Sequence, residues 1–211
     1  MKCDKQSLRL YAVTDRSWLN GETLLQQVEK SLKGGVSCLQ LREKELSYDN
    51  FLDEAYEIKA LCKKYSIPFI VNDNVEIALK CKADGIHIGQ KDMIASDVRR
   101  LVGDDIILGV SAQTVEQAIL AEKMGADYLG VGAVFSTSTK LDADSVSFDT
   151  LKAICDAVSI PVVAIGGITE ENLTELKGSG ICGVALVSAI YANPNIEETC
   201  KRLYSKIGEV I

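Results

Sequence analysis

The fold is decided by a stretch in which a short apolar run ends in charged residues: CLQLREK, residues 38–44. As a β-strand, this run places Leu39 and Leu41 on one face. Gln40 and Arg42 then share the opposite face, because successive side chains of a strand point to opposite sides. Burying a guanidinium without a partner costs several kcal/mol or more. We therefore expect Arg42 to find its partner in an anionic ligand.

Similar apolar runs of β type recur along the whole chain and alternate with longer segments of helical period. The eight runs span residues 8–15, 38–42, 69–73, 85–89, 106–112, 128–134, 162–167 and 184–189. The amphipathic segments between them include residues 23–33, 48–65, 115–124, 149–158 and 196–207. This alternation is typical of parallel strands linked by crossover helices. We predict a single-domain (β/α)8 TIM barrel over residues 1–211, with a doubly wound sheet as the alternative.

Composition narrows the class of protein. The chain has 211 residues, seven cysteines and a net charge of -7. An odd number of cysteines without a CxxC pair favours reduced thiols in a cytoplasmic compartment. The N-terminus lacks an apolar core and no run of about 18 apolar residues occurs, so we expect neither export nor membrane spanning. The basic residues are dispersed along the chain, which disfavours nucleic acid as a partner. The sequence is compatible with a homo-oligomer.

Polar residues accumulate where the predicted strands end, which is the end of a βα barrel that carries the active site. In strand order the polar residues are Gln40, Arg42 and Lys44; Asn72 and Asp73; Gln90 and Asp92; Ser111; and Thr137, Ser138, Thr139 and Lys140. Strand seven ends in Gly166 and Gly167, and strand eight ends in Val187 and Ser188. With three basic side chains among them, this set predicts a site for a polyanion such as a diphosphate.

Asp73 and Asp92 follow two neighbouring strands. Taken singly, each could be a helix N-cap. Together, two carboxylates at adjacent strand ends suit a hard divalent ion that also binds phosphate oxygens, and Mg²⁺ is the natural candidate.

The Gly-Gly pair at residues 166–167 permits close backbone approach. A helix beginning near Thr169 would offer N–H groups to a phosphate, while an ordinary strand-to-helix turn is the alternative. His87, the single histidine, alternates with Ile86 and Ile88 inside strand four, so packing or a fixed hydrogen bond is its expected role. A Ser-His-Asp hydrolase and a histidine-rich zinc site therefore fit poorly.

With these motifs in view, the chain resembles the thiamine phosphate synthase family. The likeness runs in register from residue 10 to residue 190. Its most specific parts are residues 40–44 (QLREK), 72–73 (ND), 84–93 (DGIHIGQKDM), 109–111 (GVS), 137–140 (TSTK) and 164–168 (AIGGI).

The resemblance implies a Mg²⁺-dependent transferase. The 4-amino-2-methylpyrimidin-5-ylmethyl group would pass from its diphosphate to the nitrogen of thiazole phosphate by a dissociative, carbocation-like route, giving thiamine phosphate and pyrophosphate. The positions that match the family's pyrimidine diphosphate site are Gln40, Leu41, Arg42, Glu43, Lys44, Asn72, Ser111 and Lys140. Those that match its thiazole phosphate site are Thr137, Ser138, Thr139, Gly167, Val187 and Ser188. The matching metal ligands are Asp73 and Asp92.

Three of these residues are candidate catalytic groups. Lys140 would stabilise the departing pyrophosphate, Ser111 would orient the pyrimidine or the diphosphate, and Arg42 would balance charge.

The chain departs from the family pattern at Ala133, Ser136 and Gln113, which leaves the closure of the loop after strand six open. The alternatives are a thiazole tautomerase of the same family, which relies on a histidine where this chain has Ala133, and a noncatalytic protein that binds phosphate ligands.

Overall fold

Eight parallel strands close into a barrel in the computed structural model, which describes residues 3–90, 93–136 and 145–211. The strands are β1 (Leu10–Val13), β2 (Cys38–Leu41), β3 (Phe69–Asn72), β4 (Gly85–Ile88), β5 (Ile107–Ala112), β6 (Tyr128–Val131), β7 (Val162–Ile165) and β8 (Gly183–Leu186). Each pairs with its neighbour in sequence, and β8 pairs with β1. The predicted (β/α)8 barrel is confirmed, and the doubly wound sheet is wrong.

Helices cover the outside of the barrel. They are α1 (Leu24–Lys33), α2 (Tyr48–Lys64), α3 (Val75–Lys80), α4 (Ala95–Val102), α5 (Val115–Lys123), α6 (Phe148–Ala157), α7 (Ser188–Tyr191) and α8 (Ile196–Ile207). Side-chain caps fix several of their starts. Thr23 and Gln26 form a capping box at α1, and Ser147 accepts the Thr150 N–H at α6. The predicted helix over residues 149–158 therefore begins slightly earlier, at Phe148.

The strands are shorter than the apolar runs predicted, because polar residues at their ends adopt loop conformations. Asp15 caps a 3-10 helix at Arg16–Trp18 by accepting the Ser17 N–H at 2.9 Å. Asp73 takes a φ of 61°, which ends β3. The charged and polar groups consequently leave the sheet at one barrel end, which we call the C-terminal mouth.

Two apolar layers hold the barrel together. The larger layer lies between strands and helices and includes Leu39, Leu41 and Val71, all with 0% exposure. The smaller layer fills the interior and consists of Leu8, Tyr11, Val13, Cys38, Ile70, Ile107, Tyr128, Val163 and Ala185. The face of β2 opposite Leu39 and Leu41 therefore points into the barrel.

Arg99 joins α4 to two loops next to β5 and β6. Its guanidinium donates to the carbonyl oxygens of Gly103, Ile106 and Gly125 and to the Asp127 carboxylate, the last at 2.5 Å. The Arg99 side chain is 16% exposed, so the guanidinium itself is largely removed from water.

We expect Arg99→Met to lower the free energy of unfolding by about 2–4 kcal/mol, because it removes the donor to three loop carbonyls and one of two donors to the Asp127 carboxylate, which keeps the Leu108 N–H. Arg100→Met is the matched control, since this neighbouring arginine is 79% exposed and pairs with Asp97 on the surface. It should change the stability by less than about 0.5 kcal/mol. Urea titration of both variants measures the difference, and equal effects would contradict this role of Arg99.

Candidate active site

Arg42 lies at the C-terminal mouth with a protein partner. Its Nη1 donates to Asp15 Oδ2 at 3.3 Å, and its backbone N–H donates to Thr14 Oγ1 at 2.9 Å. Arg42 thus has a partner within the protein as well, because β1 and β2 are neighbours and Asp15 lies two residues beyond the end of β1. Its role toward a ligand stays a prediction.

Glu43, the next residue, has a buried side chain, with 2% of it exposed. Arg16 Nε donates to it at 2.9 Å, and the same guanidinium donates to Glu54 on α2 at 2.5 Å. Two carboxyl groups thus share one arginine. Burial raises the pKa of Glu43 to about 7, aided by a hydrogen bond to Glu54 and opposed by Arg16. The ligand role of Glu43 stays a prediction; through Arg16, its contacts anchor the loop after β2 to α2.

This raised pKa predicts a loss of stability as the pH rises. Between about 4.5 and 7 the folded state holds a proton on Glu43 that the unfolded state has released, so the free energy of unfolding falls. The slope should not exceed about 1.4 kcal/mol per pH unit for one group. Denaturant titrations should show a shallower slope for Glu43→Gln. An unchanged slope would assign the effect to other groups.

Asp73 and Asn72 stand together where β3 ends. Asn72 Nδ2 donates to Asp73 Oδ2 at 2.5 Å, and the Asp73 N–H donates to the His87 carbonyl at 2.8 Å. The N-cap of α3 is Asn74, whose Oδ1 accepts the Ile77 N–H at 3.0 Å. The helix-cap reading of Asp73 is therefore wrong, and its carboxylate lies at the C-terminal mouth.

A cavity of about 680 Å³ opens beside this pair. Its lining includes Lys44, Asn72, Asp73 and the apolar side chains of Phe51 and Met93. A second cavity of about 400 Å³ is lined by Asp15, Arg16, Ser17, Arg42, Glu43, Lys44 and Glu45. Lys44 borders both, so the structure brings together the predicted residues of β2 and β3.

Polar side chains continue from the mouth into the barrel interior. His87 Nδ1 lies 3.0 Å from Tyr128 Oη, and His87 Nε2 lies 3.0 Å from Ser111 Oγ. Gln40 Nε2 donates to Tyr11 Oη at 2.8 Å, and Tyr11 Oη lies 2.7 Å from Tyr128 Oη. The prediction of a fixed hydrogen bond for His87 is confirmed. The two tyrosines were missed, because both read as ordinary apolar strand residues in the sequence.

The loops after β6 and β7 run against each other. Val134 and Phe135 donate their N–H groups to the carbonyls of Ile165 and Gly166 at 3.0 Å. A Cβ on Gly166 would lie 2.5 Å from the Ala133 Cβ, and one on Gly167 would lie 2.4 Å from the Ser136 carbonyl oxygen. Close loop packing therefore explains both glycines; a phosphate contact by Gly167 remains a prediction.

The helix predicted near Thr169 is absent from this described segment. Instead, the Thr169 N–H donates to Asn172 Oδ1 at 2.8 Å and Asn172 Nδ2 donates to the Gly167 carbonyl at 2.9 Å. Only a 3-10 helix, Leu173–Leu176, follows. The side chains of Thr169 and Asn172 thus hold the loop in a turn that competes with a helix.

Contrary to the prediction, Val187 and Ser188 are not part of a strand, because β8 ends at Leu186 and Ser188 begins the short helix α7.

Gln113, one of the three positions that depart from the family pattern, follows β5 and donates its N–H to Gln117 Oε1 at 2.7 Å. Five predicted site residues lie outside the described part of the chain: Asp92, Thr137, Ser138, Thr139 and Lys140.

Across the described ranges, no three His, Cys, Asp or Glu side chains come close enough together to form a metal-binding group. None of the helices in those ranges has the length and apolar character needed to cross a membrane. All seven cysteines are unpaired thiols, and burial raises the pKa of Cys38, inside the barrel, well above its ordinary value.

Known proteins share both the sequence and this fold. Residues 10–190 match the family model described as thiamine monophosphate synthase. The chain is 50% identical to the thiamine-phosphate synthase of Clostridium tetani over 95% of this chain and 96% of the relative. It is also 50% identical to that of Ruminiclostridium cellulolyticum over 92% of each.

A solved structure, the thiamine phosphate pyrophosphorylase from Pyrococcus furiosus, superposes with a TM-score of 0.91 at 33% identity and covers 98% of both chains. Sequence and structure therefore agree over nearly the whole length. The chain belongs to the thiamine monophosphate synthase family and is a transferase of thiamine biosynthesis.

Proposed function

We propose that this transferase moves the 4-amino-2-methylpyrimidin-5-ylmethyl group from its diphosphate to the ring nitrogen of thiazole phosphate, in a Mg²⁺-dependent reaction. The C–O bond between the methylene and the diphosphate breaks, pyrophosphate leaves, and the nitrogen lone pair forms the new C–N bond. One observation carries the proposal: Lys44, Asn72 and Asp73 line one cavity, and Arg42 lines the second.

The main task of the protein in this reaction is to hold a diphosphate and stabilise its growing charge. A pyrimidine-stabilised cation needs little help from a protein base, so positioning and electrostatics dominate. Arg42 supports this role through its guanidinium at the mouth. Its ion pair with Asp15 at 3.3 Å orients the guanidinium, and the remaining N–H groups of that guanidinium stay available to a ligand.

The residues present suit Mg²⁺. Asp73 offers a carboxylate at the mouth, held by Asn72, and Asp92 follows the adjacent strand in sequence. Mg²⁺ is commonly held by one or two carboxylates together with substrate phosphates rather than by a full protein cage. When bound, the ion would neutralise charge on the diphosphate oxygens.

The remaining site residues divide between the two substrates. Ser111, near the C-terminal end of β5, orients the pyrimidine or its diphosphate, with Gln40 below it in the barrel interior; the Leu41 side chain packs toward the helices, so only its backbone can serve the site. Gly167, Val187 and Ser188, with the segment 137–139, hold the thiazole phosphate. We also infer a cytoplasmic location from the seven free thiols, and small molecules rather than nucleic acid as partners.

A turnover assay tests this function. Purified protein supplied with Mg²⁺ and both substrates should release pyrophosphate and form thiamine phosphate in equal amounts. A thiazole tautomerase would isomerise its substrate without releasing pyrophosphate, and a noncatalytic binding protein would do neither. Absence of thiamine phosphate under saturating conditions would refute the proposal.

A further inference from the structure

We propose that five polar side chains inside the barrel form a hydrogen-bond series of fixed direction, which presents the Ser111 hydroxyl to the substrate as a donor. The series, which we call the interior network, is Gln40, Tyr11, Tyr128, His87 and Ser111. Its effect on the reaction rests on the proposed function, whereas its direction is a property of the free protein.

The interior network is continuous; it is buried from Gln40 to Tyr128 and half-buried at its His87 and Ser111 end. The four contacts in order measure 2.8, 2.7, 3.0 and 3.0 Å. Tyr11 and Tyr128 are 1% exposed and Gln40 is 5% exposed. The members come from five different strands, so the barrel itself sets their spacing.

Two glycines make room for the rings. A Cβ on Gly109 would lie 2.2 Å from Tyr128 Cζ, and a Cβ on Gly130 would lie 3.0 Å from His87 Cε1. A Cβ on Gly109 would overlap the Tyr128 ring, and one on Gly130 would force the His87 ring to shift by a few tenths of an ångström. The space for the network is therefore built into β5 and β6.

Gln40 sets the direction at one end, because an amide nitrogen donates and does not accept. Burial raises the pKa of both Tyr11 and Tyr128 well above the ordinary value, so both phenols keep their protons. Tyr11 accepts from Gln40, and the nearby Cys38 thiol is a weak acceptor. The Tyr11 proton therefore goes to Tyr128.

The hydrogen bonds keep the same direction from Tyr128 to Ser111 at the C-terminal mouth. With its oxygen accepting from Tyr11, Tyr128 donates to His87 Nδ1, so the neutral imidazole carries its proton on Nε2. Nε2–H then donates to Ser111 Oγ, and the serine proton is directed away from the histidine. Ser111 should accordingly donate its proton to an acceptor atom of the substrate, either a pyrimidine ring nitrogen or a diphosphate oxygen.

His87 is the single histidine in the chain, which allows a direct test. Protein labelled with ¹⁵N-histidine gives one pair of ring nitrogens by NMR, assigned through their couplings to the two ring C–H protons. Recorded well above the ordinary histidine pKa of about 6.5, the free protein should show protonated Nε2 and unprotonated Nδ1. Protonated Nδ1 would overturn the proposed direction, whatever the variants do.

Tyr128→Phe removes the donor to Nδ1. We expect mixed tautomers and a fall of about tenfold in kcat/KM for the pyrimidine diphosphate, the equivalent of one buried hydrogen bond. Tyr191→Phe is the matched control, because Tyr191 is also 1% exposed and its hydroxyl lies 3.3 Å from Ser31 Oγ, outside the interior network. It should leave the histidine signals and the kinetics unchanged.

Equal kinetics and tautomers in the two variants would overturn the positioning role. If Tyr128→Phe does not fold, Tyr11→Phe interrupts the same series one contact earlier and should also mix the tautomers. A wild-type protein with protonated Nε2 but no turnover would refute the proposed function and the role of Ser111 in it, while supporting the direction of the network.

Discussion

Asp73→Asn should lower Mg²⁺-dependent turnover by about 10²-fold or more while the barrel stays folded. Asparagine keeps the shape of the side chain and its contact with Asn72 but removes the negative charge that suits a divalent ion. Steady-state rates measured across a Mg²⁺ titration, with circular dichroism to verify folding, give the result.

Asp92→Asn should have a similar effect, and the double variant should be little worse than either single one, because both carboxylates would serve one ion. Asp156→Asn is the control: this aspartate lies on α6 and pairs with Lys152 at the surface. Unchanged rates at limiting Mg²⁺ for Asp73→Asn would reject the ligand assignment.

Lys140→Ala should slow the chemical step by about 10²-fold, because the ammonium would stabilise charge that grows on the departing pyrophosphate. Single-turnover measurements with saturating substrates isolate this step from binding. Lys140→Arg keeps the charge and should recover part of the rate. Lys152→Ala, an exposed lysine paired with Asp156, is the control and should leave the rate unchanged. A normal single-turnover rate in Lys140→Ala would remove this role.

The fold could be predicted because its signal is local and repeated. Each apolar run such as residues 38–42 indicates a strand by itself, and eight of them separated by amphipathic segments restrict the topology to a few choices. The ends of the strands were less accurate, since a residue such as Asp73 looks the same in sequence whether it continues β3 or turns out of it.

The sequence indicated which residues belong to the candidate site, but not which of their side chains contact each other. Asp15 and Arg42 are 27 residues apart and meet because β1 pairs with β2, whereas Tyr11 and Tyr128 are 117 residues apart and meet only because the barrel closes. The prediction of a helix near Thr169 is wrong for a local reason, because Thr169 and Asn172 form a hydrogen bond within the loop and hold it as a turn.

A crystal structure with Mn²⁺ in place of Mg²⁺ and with pyrophosphate tests the central claim most directly, because Mn²⁺ prefers the same oxygen ligands and is visible by anomalous scattering. We predict one metal peak at the C-terminal mouth, about 2 Å from carboxylate oxygens of Asp73 and Asp92 and from pyrophosphate oxygens, with Arg42 on the same pyrophosphate. A metal bound away from both aspartates, or pyrophosphate bound at the opposite barrel end, would contradict the account.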